Sequence, residues 1–100
     1  MNTVDVMFVR AYLTESSHLL NKILHYLQKD AAIRGLSVFR AISGFGESGE
    51  HSSSLIDLSL NLPLTIEFFD SKAKVEPALE YLSGIIKAEH LVFWEAKTIV

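Results

Sequence analysis

From Val4 to Leu13 the side chains alternate. Val9, Ala11 and Leu13 share one face, Arg10 and Tyr12 sit between them, and Val6 and Phe8 carry apolar character onto the second face. A period of two predicts a strand. Thr14-Glu15-Ser16-Ser17 breaks it with residues suited to a turn and a helix cap. From Ser17 to Arg34 the period changes: Leu20, Ile23, Leu24, Leu27 and Ala31 recur three and four apart, with Asn21, Gln28 and Lys29 off the stripe. This predicts an amphipathic helix that stops at Gly35, with Arg34 beside its negative end.

Leu36 to Ile42 is β-branched and aromatic enough to be a second strand. Ser43 to Ser54 then has no periodicity: three glycines and five serines in that stretch cannot build a core. It predicts a flexible loop of about 43–57, in which Leu55-Ile56-Asp57-Leu58 could add a short strand or a helical turn. Leu62 to Asp70 is a third strand. A second helix follows, capped by Ser71, with Val75, Ala78, Leu79, Leu82, Ile85 and Ile86 as its apolar stripe. Pro77 conflicts with it, because proline beyond the first turn removes a hydrogen bond and crowds the preceding turn. The helix therefore starts nearer Ala73 or Lys74, or kinks. Ala88-Glu89-His90 is a short connection, and Leu91 to Val100 is the last strand, with Phe93 and Trp94 on opposite faces.

The order strand, helix, strand, strand, helix, strand predicts an α+β ferredoxin-like βαββαβ sandwich: one antiparallel sheet with two helices on one face, as a single domain over residues 1–100. The helix-free face would carry Tyr12 and Phe69, with Val92, Trp94 and Ala96 or their neighbours from the last strand. That is too apolar for a solvated face and predicts a homo-oligomer packed through it.

Composition adds weight to that expectation. Hydrophobic residues make up 49% of 100 residues, and a chain this short buries only about two-thirds of its surface when it folds alone. No apolar run reaches the roughly 18 residues of a membrane span, and the first residues lack a signal peptide's basic start, so a cytoplasmic protein without membrane insertion is expected. With no cysteine there is no disulfide framework or thiolate site. The net charge is −3 with scattered Lys and Arg, which argues against nucleic acid as a partner.

Four sets of residues could carry chemistry. Gly44-Phe45-Gly46 with Arg40 offers backbone N–H groups, an aromatic face and a guanidinium fork to an anion, although no Gly-Lys-Ser/Thr follows as in a Walker loop. Arg10, Arg40 and Glu67 are charges inside apolar strands, which predicts an ion pair at a subunit junction or a pair gripping a ligand. His18 and His25 are two helical turns apart, about 10.5 Å along the axis, so they cannot share one metal ion. His51 with Glu47 and Glu50 is a weak metal set. Ser52 to Ser54 beside His51 lack a positioned base or oxyanion site, so no enzyme is expected.

Four segments carry a family likeness. Val9-Arg10-Ala11-Tyr12-Leu13-Thr14-Glu15-Ser16, Arg34 through Gly46, Leu58 through Asp70 and, more loosely, His90-Leu91-Val92-Phe93 resemble, in order, the PII-like proteins of the domain-of-unknown-function 190 family. The resemblance implies a trimeric PII-like assembly. It implies small effectors, often adenine nucleotides, in clefts between subunits, and a regulatory loop, here Ser43 to Ser54, that meets a protein partner such as a membrane transporter. The site residues it implies are Arg40, Gly44, Phe45, Gly46 and Glu67, faced by Lys87 and His90 of a neighbouring copy. The chain departs from the nucleotide-binding pattern in having one lysine and no glycine after Gly84 in that connection. Its loop carries Glu47 and Glu50 and no Lys or Arg, a poor field for a polyphosphate. A second reading is a divalent-metal-responsive trimer similar to the ion-tolerance proteins of the same fold, and a third is a purely structural oligomer.

Overall fold

The computed structural model describes residues 1–44 and 63–100. The predicted flexible loop of about 43–57 lies almost wholly outside these, as do Phe45, Gly46 and the suggested metal set Glu47, Glu50 and His51. Among the described residues, four strands form one antiparallel sheet: β1 (Thr3–Thr14), β2 (Leu36–Arg40), β3 (Pro63–Asp70) and β4 (Leu91–Ile99), in the order β2-β3-β1-β4. With α1 (Leu20–His25) after β1 and α2 (Lys72–Ser83) after β3, this is the expected βαββαβ sandwich.

Strand alternation sorts the sheet cleanly. Val9, Ala11 and Leu13 of β1 and Leu64, Ile66 and Phe68 of β3 are buried beneath the helices, against Ile23, Leu27, Val75, Ala78 and Leu82. Removing a Val, Leu or Ile side chain from water in this way contributes about 1.5–3 kcal/mol each before the cost of ordering it. Tyr26 and Tyr81 stack with centroids 3.6 Å apart and join the two helical segments over this core. Burial raises the Tyr26 phenol above its ordinary pKa.

The first helix departs from expectation. A 3-10 turn (Glu15–Ser17) and a left-handed residue, His18, precede it, so α1 starts at Leu20 and not at Ser17. It runs into a π turn (Tyr26–Asp30) and stops before Gly35. The stop is Ala32, at φ 54°: the Ala31 N–H reaches back to the Tyr26 carbonyl and the Ile33 N–H to the Leu27 carbonyl, while the Ile33 side chain is buried. A left-handed residue at that point is a common helix stop, usually glycine.

The second strand is also shorter than predicted. It ends at Arg40, although the Ala41 N–H still donates to the Pro63 carbonyl, and Ile42 is fully exposed. Helix α2 begins at Lys72 and runs through Pro77. Pro77 has no N–H to offer the Ala73 carbonyl, and both residues are exposed.

Asp70 is the one buried charged residue among those described. Its carboxylate accepts the Arg34 N–H at 3.1 Å and the Ser71 N–H at 2.8 Å, which pins the start of α2 to the turn before β2. Burial pushes its pKa up, but these hydrogen bonds and the nearby Lys74 and Arg34 charges outweigh it and hold the group below its ordinary value.

Candidate functional site

The connections after β1, β2 and α2 all emerge at one end of the sheet, because β1 and β2 end there while β3 and β4 begin there. Arg40, Gly44, Lys87 and His90 are therefore at the same end. Arg40 pairs in register with Leu64 and so points to the helix side, where its guanidinium forms an ion pair with Glu15. That contact lowers the Glu15 pKa and raises that of Arg40. Sequence reasoning missed Glu15, since its closeness to Arg40 follows only from the order of the strands. Four residues on, Gly44 has φ 156°, which side-chain-bearing residues rarely adopt, and open space where a Cβ would be.

Glu67 lies apart from Arg40. It pairs in register with Arg10 and Ser37, on the face without helices. The Arg10 Nε donates to Glu67 Oε1 at 2.7 Å, and hydrogen bonding to Tyr12 and Glu67 raises the guanidinium pKa. With Phe39 and Thr65 these residues line a shallow hollow of about 240 Å³. The suggested trio of Arg10, Arg40 and Glu67 thus divides into two ion pairs on opposite faces.

Lys87, Ala88, Glu89 and His90 form a turn closed by the His90 N–H and the Lys87 carbonyl at 3.0 Å. Glu89 holds φ 73°, the third-position geometry that such turns usually give to glycine. The turn thus reaches a glycine-like conformation without a glycine. The His90 carbonyl accepts the Tyr12 N–H at 2.8 Å, so His90, at the entry to β4, forms one row with Tyr12, Thr65 and Phe39 from one edge of the sheet to the other. Three inter-strand steps separate the ends of that row, roughly 14 Å. Within one chain, Arg40 and the Lys87–His90 turn stand at opposite edges of the sheet.

The face without helices is banded. Phe69, Phe8 and Trp94 form a row across β3, β1 and β4, with Phe8 stacked 5.9 Å from Phe69 and 4.7 Å from Trp94. The next row is Glu67, Arg10 and Val92, with the Arg10 guanidinium carbon 5.6 Å from the Trp94 ring centre. Tyr12 and Phe39 follow. Phe39, Val92, Phe69, Trp94 and Tyr12 are all exposed on this face. Tyr12, Phe69, Val92, Trp94 and Ala96 lie on it as expected from the sequence.

No cluster of three or more metal-binding side chains occurs among the described residues, and no helix there is long and apolar enough to cross a membrane.

Comparison with known proteins places this architecture. The family DUF190, described as an uncharacterized ACR, matches residues 5–98. A UPF0166 protein of Aquifex aeolicus is 33% identical over 89 residues, covering 84% of this chain and 85% of that protein. Among solved structures, CPII of Thiomonas intermedia K12, a nitrogen regulatory PII-like protein bound to ADP, AMP and bicarbonate, superposes with a TM-score of 0.71 at 17% identity, over 99% of this chain and 91% of that one. The divalent ion tolerance protein CutA1 of Ehrlichia chaffeensis gives 0.59 at 14%, over 93% and 80%. The chain therefore belongs to the DUF190 (UPF0166) family and has the ferredoxin-like fold of the PII-like proteins.

Proposed function

We propose that this protein is a PII-like regulator, not an enzyme. It works in the cytoplasm as a trimer packed through the helix-free sheet face. It takes a small effector of the adenine-nucleotide class between Arg40, Gly44, Phe45 and Gly46 of one copy and Lys87 and His90 of the next. The 43–54 loop then relays occupancy to a protein partner, such as a membrane transporter. The observation that carries this is the aromatic row Phe69–Phe8–Trp94, left uncovered on a face that a lone chain would present to water. The placement of Arg40 and His90 at opposite edges of one sheet supports a cleft shared between copies, in which the edge of one copy meets the edge of the next. CPII, with its bound ADP and AMP, supports the effector class. Glu67 is proposed to steady Arg10 within the interface.

Thermal shift with ADP, AMP, cyclic dinucleotides and divalent metals tests this, since a ligand of the native state raises the midpoint. We expect a response to an adenine nucleotide that is lost in Arg40→Ala. The CutA1 likeness supports one competing reading, a metal response through His51, Glu47 and Glu50. A metal response lost in His51→Ala, with silence toward nucleotides, would replace the first reading by the second.

A further inference from the structure

Arg40 and Glu15 reach each other across a strand that holds neither of them. β1 and β2 both pair with β3, so they lie two inter-strand steps apart, roughly 9.6 Å. Pro63, the first residue of β3, stands between their ends. It pairs in register with Thr14 on one side, and its carbonyl accepts the Ala41 N–H at 3.0 Å on the other. Glu15 follows Thr14 and Arg40 precedes Ala41, and their ion pair joins the ends of β1 and β2 across the start of β3. The Arg40 side chain is 54% exposed and that of Glu15 33%, so a ligand in solution can reach the pair.

The carboxylate is held in place by its own turn. The Glu15 carbonyl accepts the His18 N–H at 3.1 Å, the Ser17 hydroxyl donates to the Thr14 carbonyl at 2.7 Å, and the hydroxyls of Thr14 and Ser16 lie 2.9 Å apart. The turn closes on His18 at φ 58°. A backbone braced on both sides of Glu15 reduces the ordering cost that weakens most surface ion pairs. The contact with Arg40 also keeps the carboxyl ionised at neutral pH.

Arg40 therefore does not present a bare positive charge to an effector. A phosphate that takes the guanidinium fork must displace the Glu15 carboxylate, which stays nearby and repels in proportion to the ligand's charge. Repulsion of this kind selects by counting charges: it costs a monophosphate least and a triphosphate most.

We propose that Glu15 is a specificity-determining residue of the effector cleft, which limits the effector to a nucleotide of low phosphate charge, a monophosphate or diphosphate in preference to a triphosphate. The inference rests on the reading of Arg40 as an effector contact and adds to it which nucleotide the contact admits.

Titration calorimetry of the full chain in its native assembly with AMP, ADP and ATP, in the absence of divalent metal, tests the proposal. In the native chain ATP is expected to bind no more tightly than AMP. Glu15→Gln keeps the shape of the side chain and removes its charge. It should tighten AMP about threefold and ATP about tenfold, and the gain should shrink as salt rises from about 50 to 300 mM. Glu15→Asp keeps the charge and should keep the native order. A purely structural role in holding Arg40 predicts the opposite of the glutamine result, a loss of affinity for all three nucleotides. That loss would overturn the proposal, as would an equal gain for AMP and ATP. Native ATP binding tighter than AMP would overturn it without any variant, which covers the case of a Glu15→Gln chain that does not fold. If AMP or ADP binds the native chain and one of these results is found, the effector reading stands and only the role of Glu15 falls. If no nucleotide binds either the native chain or Glu15→Gln, both fall together.

Discussion

Arg10 and Glu67 face each other across β1 and β3, with Nε 2.7 Å and Nη2 2.6 Å from the same carboxylate oxygen, and the guanidinium also lies against the Trp94 ring. The pair sits between two aromatic bands, so its partners are fixed by register and not by chance contact on a wet surface. Arg10→Leu leaves a carboxylate among apolar neighbours, and Glu67→Leu leaves a guanidinium there. We expect each single variant to lower the melting midpoint by about 3–6 °C. The double variant should regain most of that loss, because neither charge is then stranded. Two single losses that merely add in the double variant would show that the pair is not coupled.

The aromatic row makes a sharper demand. Trp94→Glu places a carboxylate beside Phe8 in the middle of the proposed trimer face. The native protein should scatter light as three times its 11.2 kDa chain mass, and the variant as one chain. A variant that keeps the native mass would refute packing through this face.

Asp70 sets the acid limb of stability. Its folded pKa lies below the ordinary value of about 3.9, so its contribution is fully present above that value. The contribution is lost as the pH falls through the folded pKa. We expect Asp70→Asn to cost about 1–3 kcal/mol at neutral pH in urea unfolding, because two N–H donors at a part-buried site lose their charged acceptor. The cost should shrink at low pH, where the native carboxyl is protonated too. An equal cost at pH 7 and pH 2 would contradict this account.

The described residues place Ala32 and Glu89 at positive φ, and both occupy turns that usually use glycine. Ala32→Gly and Glu89→Gly should each stabilise the protein by about 0.5 kcal/mol, since relief of the left-handed strain exceeds the added freedom of the unfolded chain. Two losses of similar size would show that the backbone at these turns is not strained.

Much of the fold was legible in the residues. The alternation of Val9, Ala11 and Leu13 marked both the strand and its buried face, and the adjacency of Phe93 and Trp94 put them on opposite faces of the last strand, as the register bears out. The end of the first helix was not legible. Apolar spacing reports which side of a coil is greasy, and a single π turn at Tyr26–Asp30 shifts the hydrogen bonds without disturbing the stripe enough to see. Ala32 hid the stop because its residue type gives no sign of left-handed geometry, whereas Gly35 advertised one that was not needed. The candidate site was half legible. Arg40 and the glycine segment were singled out, but Arg40's partner, Glu15, belongs to a different connection. Grouping Arg40 with Glu67 failed on parity, since one position of register moves a side chain to the other face of a sheet.

The row from His90 to Phe39 has a thermodynamic consequence. On the proposed reading, a molecule that touches both edges of the sheet touches two polypeptides, so its affinity contains their association constant. Dilution of the protein would then loosen the ligand, and saturation with ligand would hold the chains together at concentrations where they otherwise part. Such an effector measures how much assembled protein is present as well as being measured by it.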